Sequence, residues 1–128
     1  MNKICTSLEQ SKKLIKLGID ISTADMFWHR KLDGTHSLRV DDIMLKLDTP
    51  AWSLSALLEL MPPYLFEFER GIDLNIYPNL VGKAWHCSYM PNAVENMKND
   101  KFKQITNGDN PIDAAFEMIV WLKKNKNL

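Results

Sequence analysis

The chain predicts an α+β fold: an antiparallel sheet of about four to five strands with three helices packed mainly on one face. Three observations carry that prediction. Three segments place apolar residues at helical spacing behind residues that cap helix starts. Between them lie segments that alternate polar and apolar residues, the pattern of strands with one wet and one dry face. The strands come in groups, without the regular strand–helix alternation that builds a parallel sheet.

Taken in order, Thr6 or Ser7 opens a first helix over residues 7–17. Thr6 with Glu9, and Ser7 with Gln10, both have capping-box spacing. Leu8, Ser11, Ile15 and Gly18 share one face, widened by Leu14, and Lys12, Lys13 and Lys16 form the wet side. Gly18 stands where a left-handed C-terminal residue is expected. Met26 to Lys31 and Ser37 to Val40 then read as a hairpin around the Asp33-Gly34 turn. The second helix is predicted over residues 50–61, with Thr49 as its cap, Pro50 in its first turn, and Pro62 and Pro63 as its stop. Leu54, Leu57, Leu58 and Met61 form its stripe.

Three strands are expected next, around Tyr64–Phe68, Leu74–Ile76 and Trp85–Tyr89. In the last, Trp85, Cys87 and Tyr89 point one way and His86 and Ser88 the other. Residues 93–98 read as a short helix followed by an exposed loop. Asn110 and Pro111 open the last helix, and Lys123 and Lys124 close it. This helix is apolar nearly all round. Ile112, Ala115, Phe116 and Ile119 form one stripe, extended by Leu122. Ala114, Met118 and Trp121 lie off it, with Asp113 and Glu117 marking a narrow wet line. One stripe covers a sheet, so the remainder needs a second neighbour. That neighbour is another helix of this chain, or else Met118 and Trp121 form a surface for a second copy or a partner.

The totals narrow the function classes. One domain spanning 1–128 is the expectation from length. Sixteen basic residues balance sixteen acidic ones. That balance argues against a general nucleic-acid binder, which draws phosphate affinity from a basic excess. It also leaves little self-repulsion to oppose self-association. The opening MNKICTSLEQSKKL has no apolar signal core, so a cytoplasmic location with Cys5 and Cys87 as free thiols is expected. No stretch is long and apolar enough for a membrane span.

Chemistry-bearing residues are sparse. A metal site from His29, His36 and Asp41 would sit at the hairpin, although turn regions are polar for backbone reasons alone. Glu67, Glu69 and His86, with Lys83 and Ser88, would share the wet sheet face and are the candidate acid–base set. His86 cannot activate Cys87, because neighbours on a strand point to opposite faces. Cys5 lies near a helix start, a position that can lower a thiol pKa. Phosphate-binding glycine loops and the GxSxG nucleophile motif are absent from the sequence. No cofactor is called for. Trp52, just after Thr49-Pro50, is expected to be partly exposed, and it joins Met118 and Trp121 as the candidate interface.

Three blocks, ICTSLEQSKKLIKLGIDISTADMFW, PAWSLSALLELMP and NPIDAAFEMIVWL, resemble small proteins encoded in gut-bacterial genomes and in their phages or prophages. The resemblance runs over nearly the whole chain. It implies a bacterial cytoplasm and a mobile-element origin, and it brings no established activity and no catalytic residue. The reading is therefore a non-catalytic accessory protein of phage type that binds another protein or itself. The alternative is a small hydrolase or ligand-binding domain on the sheet face or at the hairpin histidines. A third is nucleic-acid binding through Lys12, Lys13 and Lys16.

Overall fold

In the computed structural model, residues 3–40, 43–62, 72–78, 84–91, 104–125 and 128 are described. Ser7 caps α1 (Leu8–Lys16): its side chain accepts from Gln10 N, and the Gln10 side chain reaches back to the Ser7 amide. Of the two capping boxes in the sequence, this one forms because Thr6 is engaged elsewhere. Its hydroxyl lies 2.8 Å from Ser11 Oγ and accepts from Trp52 N at 3.1 Å. Gly18 ends the helix at φ +91°, as its position predicted. The buried face of α1 is Ser11 and Leu14, while Ile15 faces outward.

The hairpin forms as β1 (Met26–Arg30) and β2 (His36–Arg39), paired antiparallel. Asp33 closes its turn by accepting from Thr35 N and Thr35 Oγ1, and Gly34 takes φ +88°. The next element corrects the sequence reading. Thr49 does not cap a helix; Thr49–Ala51 is a third strand, β3, paired with β1. The sheet order is β2-β1-β3, so Pro50 sits on an edge strand, where its missing N–H is tolerated. Ser53 caps the helix instead, and α2 is Leu54–Leu60. Asp25 holds that cap by accepting from the Ser53 amide at 2.8 Å and from its hydroxyl.

A second sheet follows: β4 (Ile72–Pro78), β5 (Trp85–Pro91) and β6 (Gln104–Gly108), in the order β4-β5-β6 and antiparallel throughout. The architecture is α+β, but in place of a single sheet of about four to five strands the described residues form two three-stranded sheets. β6 was read as part of an exposed loop, since Gln-Ile-Thr-Asn-Gly has little apolar alternation. The predicted strand at 64–68 and short helix at 93–98 fall outside the described residues.

Asn110 caps α3 (Pro111–Lys124) by accepting from Asp113 N at 2.9 Å. This helix is the centre of the fold. It packs on β4, β5, β6 and α2. The first helix lies alongside it in the same direction: Gln10 bonds Asp113, Lys13 Nζ sits 5.9 Å from the Phe116 ring centroid, and Gly18 adjoins the Lys123 side chain. Sheet and helices together bury Ile112, Ala114, Ala115, Phe116, Met118, Ile119, Val120 and Leu122. Among residues 112–122 only Glu117 is fully exposed. Leu57 and Met61 of the α2 region, Leu14 of α1 and Cys87 and Tyr89 of β5 complete the core.

β6 and α3 meet at Gly108. A Cβ there would lie 2.6 Å from Asp113 Cβ and 2.7 Å from its carbonyl carbon, and closer still to the Ala114 amide nitrogen. Thr106 fastens the same joint, its hydroxyl donating to Ala114 O at 2.8 Å.

Candidate functional site

The candidate site lies on the β1–β2 ribbon with the segment 43–48 that follows it. Antiparallel pairing puts Phe27 opposite Arg39 and His29 opposite Ser37, so these four share one face of the ribbon. Trp28 with Leu38, and Arg30 with His36, share the other.

On the first face Asp48 is the anchor, with its side chain 1% exposed. Its Oδ1 lies 2.9 Å from His29 Nδ1 and accepts from Arg30 N at 3.3 Å, and its Oδ2 accepts from Leu45 N at 2.8 Å. Burial pushes the carboxyl pKa up, but the donors Leu45, His29 and Arg30 outweigh it, and the group ends below its ordinary value. An ionised Asp48 cannot donate, so His29 Nδ1 carries the shared hydrogen. The tautomer is thereby fixed, and Nε2 is the atom the ring offers to anything outside. A cavity of about 300 Å³ is lined by Phe27, His29, Arg39, Ile43 and Leu45. Ser37 Oγ, on the same ribbon face, is buried and has no hydrogen-bond partner.

On the second face a hollow of about 330 Å³ is lined by Lys3, Ile4, Cys5, Ser7, Trp28 and Leu38. Trp28 Nε1 donates to Thr6 O at 3.1 Å, which ties the ribbon to the N-terminal segment. Burial pushes the Cys5 thiol up, Lys3 lowers it in part, and the result is a raised value. The nearby helix start does not lower this thiol.

Exposed aliphatic side chains concentrate here. Ile43, Leu45 and Leu47 are 81%, 58% and 70% exposed, and Val40, Met44 and Leu32 are exposed beside them. β2 is an edge strand with no neighbour on its outer side among the described residues.

The residues singled out from sequence are dispersed. His29 and His36 stand on opposite faces of the ribbon and do not share a ligand position. Asp41 falls outside the described residues, and among those described no three His, Cys, Asp or Glu side chains converge on a metal site. Glu67 and Glu69 also fall outside them. His86 is on β5 with its ring 5.4 Å from that of Tyr77, and its Nδ1 is buried without a hydrogen-bond partner. The face expected to be wet is half covered: Ser88 is fully buried and its hydroxyl too has no partner. Cys87 lies on the other face in the core, as strand alternation required, with its thiol pKa pushed up to about 12 by burial.

The expected interface also changes. Trp52 and Met118 are each 0% exposed, so neither offers a docking surface. Trp52 is held by its indole N–H donating to Thr23 Oγ1 at 2.9 Å. Trp121 is half-buried against the same core. The neighbours that cover the last helix belong to this chain.

Asp48 was missed from sequence. It lies 19 residues from His29, and only the strand register brings the two together. The exposed aliphatics of IMLKL, residues 43–47, were missed as well, because alternating apolar residues fit a half-buried strand equally well. No protein-family description, curated protein or solved structure matches the chain.

Proposed function

We propose that this chain is a non-catalytic accessory protein of phage or prophage type that acts in the bacterial cytoplasm by protein binding, and that its binding surface is the outer edge of β2. The observation that carries this is that β2 is an edge strand among the described residues, flanked on both ribbon faces by apolar side chains: Ile4 and Leu38 on one, Ile43 and Leu45 on the other. An edge strand with free backbone donors and acceptors takes another strand readily, and proteins ordinarily guard such edges with charge. Contiguous exposed aliphatics are the second mark of an association surface.

The occupant we assign is a second copy. Residues 26–48 hold Arg30, Lys31, Arg39 and Lys46 against Asp33, Asp41, Asp42 and Asp48. A balanced surface suits its own copy better than a strongly charged partner. Antiparallel pairing about a two-fold axis at Leu38 sets Leu38 opposite its counterpart and Arg39 opposite Ser37 of the second copy, with no like charges facing.

Sedimentation velocity from about 1 to 200 µM tests this, since a pairing equilibrium follows protein concentration. Dimer growing with concentration, and lost in Leu38→Lys, is the expected result. A parent protein that stays monomeric over the whole range would refute self-pairing.

A further inference from the structure

The cavity on the other ribbon face is built differently from the strand edge. A buried aspartate that accepts from one imidazole nitrogen fixes the orientation of the ring and aims the other nitrogen. In this chain Asp48 does so with a nearly inaccessible side chain, itself pinned by the backbone N–H groups of Arg30 and Leu45. Such anchoring exceeds what an ordinary turn requires. Beside His29 stand a guanidinium, Arg39, and three apolar walls, Phe27, Ile43 and Leu45.

We propose that this cavity binds a small monocarboxylate with an apolar body. The Arg39 guanidinium pairs with the carboxylate, and His29 Nε2, when protonated, donates the second hydrogen bond. The apolar body lies on Phe27, Ile43 and Leu45. Arg39 has a further interaction within the chain, and a guanidinium's five N–H donors leave capacity for a ligand as well. A volume of about 300 Å³ stands at the small end of ligand sites, suited to roughly eight to ten heavy atoms. The chemistry ends at binding. Ser37, the hydroxyl nearest His29 in the register, is buried at its oxygen and makes no hydrogen bond to the ring, so it is not an activated nucleophile.

The test is an NMR titration at pH 6. The signals followed are the His29 ring and the Phe27 and Leu45 side chains. The probes are 4-methylpentanoate and phenylacetate, with 4-methylpentanamide and phenylacetamide as neutral controls of the same shape. The carboxylates are expected to shift all three sets of signals with Kd of about 0.1–2 mM, ordinary for ligands of this size. The amides are expected to bind at least about tenfold more weakly, and Arg39→Gln to remove that preference, as loss of one charge-assisted contact implies. Leu38→Lys is expected to bind both carboxylates as the parent does, whether or not it self-associates, so the two readings fail separately. Equal binding of acids and amides, an unchanged preference in Arg39→Gln, or no shift up to about 20 mM probe would each overturn the proposal.

Discussion

Replacing Gly108 by alanine adds one methyl group where β6 meets α3 closely. The added Cβ would stand 2.6 Å from Asp113 Cβ and 2.7 Å from Asp113 C. Those neighbours belong to the first turn of α3, so relief requires the strand and the helix to separate, with no flexible side chain available to yield. Overpacking of this kind costs about 1–3 kcal/mol. Separation also strains the Thr106 Oγ1 bond to Ala114 O, a further contribution of about 1 kcal/mol. The sum is about 2–4 kcal/mol, a large part of the roughly 5–15 kcal/mol that holds a domain folded. In urea, with a slope of about 2 kcal/mol per M, the midpoint should fall by about 1–2 M. Gly34→Asn is the control. Gly34 has positive φ but nothing within 4 Å of its added Cβ, and asparagine tolerates that conformation, so its midpoint should barely move. A Gly108→Ala midpoint within about 0.3 M of the parent would refute the close seating of β6 on the start of α3.

Other consequences follow from the same packing. Met118→Ala should cost about 2–5 kcal/mol in urea unfolding, as a cavity in a closed core does; a cost under about 1 kcal/mol would mean that this side of α3 faces solvent. Cys5 and Cys87 are buried and their thiols are held up in pKa, so neither should react with an aromatic disulfide reagent until the chain unfolds; rapid labelling of Cys87 in the native protein would contradict its core position. The folded Cys87 thiol stays neutral up to about 12 while the unfolded one ionises near 9.0. Its contribution is therefore complete below pH 9.0 and is lost as pH climbs toward about 12. Asp48 and Asp113 have lowered pKa values. Their stabilisation is present above the unfolded value near 3.9 and is lost as pH falls through the lower folded values, so the urea midpoint should drop below about pH 4. Asp113→Asn, which removes the ion pair with Lys3, should shallow that acid limb; an unchanged limb would count against the linkage.

How much of this was legible depended on whether a signal was local. Capping residues act over three or four positions, so Ser7, Gly18 and Asn110 were found where they stand. The Asp33-Gly34 turn and the strand alternation that separates Cys87 from His86 are equally local. Thr49-Pro50 misled because cap-then-proline chemistry also fits an edge strand, and the pairing of Thr49 with Trp28 across 21 positions decides between them. The division into two sheets was not legible for the same reason, since strand order is a long-range property. The crowded joint at Gly108 was hidden too: a glycine required for close approach reads the same as a glycine in a turn.

For the candidate site the difference is sharper. His29 was singled out for the wrong partners. Alternation along β1 and β2 sends His36 to the far face, while Asp48 arrives through the return of the chain along β3. Trp52, Met118 and Trp121 drew attention because large apolar residues mark interfaces and cores alike. The neighbours that decide between the two are α1, α2 and the second sheet, and each is brought to α3 by tertiary packing.

The most direct test of the proposed function is oxidation of Leu38→Cys. The native cysteines are 3% and 0% exposed and do not compete. In the pairing about Leu38, the two introduced cysteines face each other at the roughly 4.5–5.5 Å Cα separation of antiparallel neighbours, within disulfide range. Leu38→Cys should form a covalent dimer readily under mild oxidation, and Lys12→Cys, exposed on α1, should remain monomeric. Equal and slow cross-linking at both positions would contradict pairing through β2.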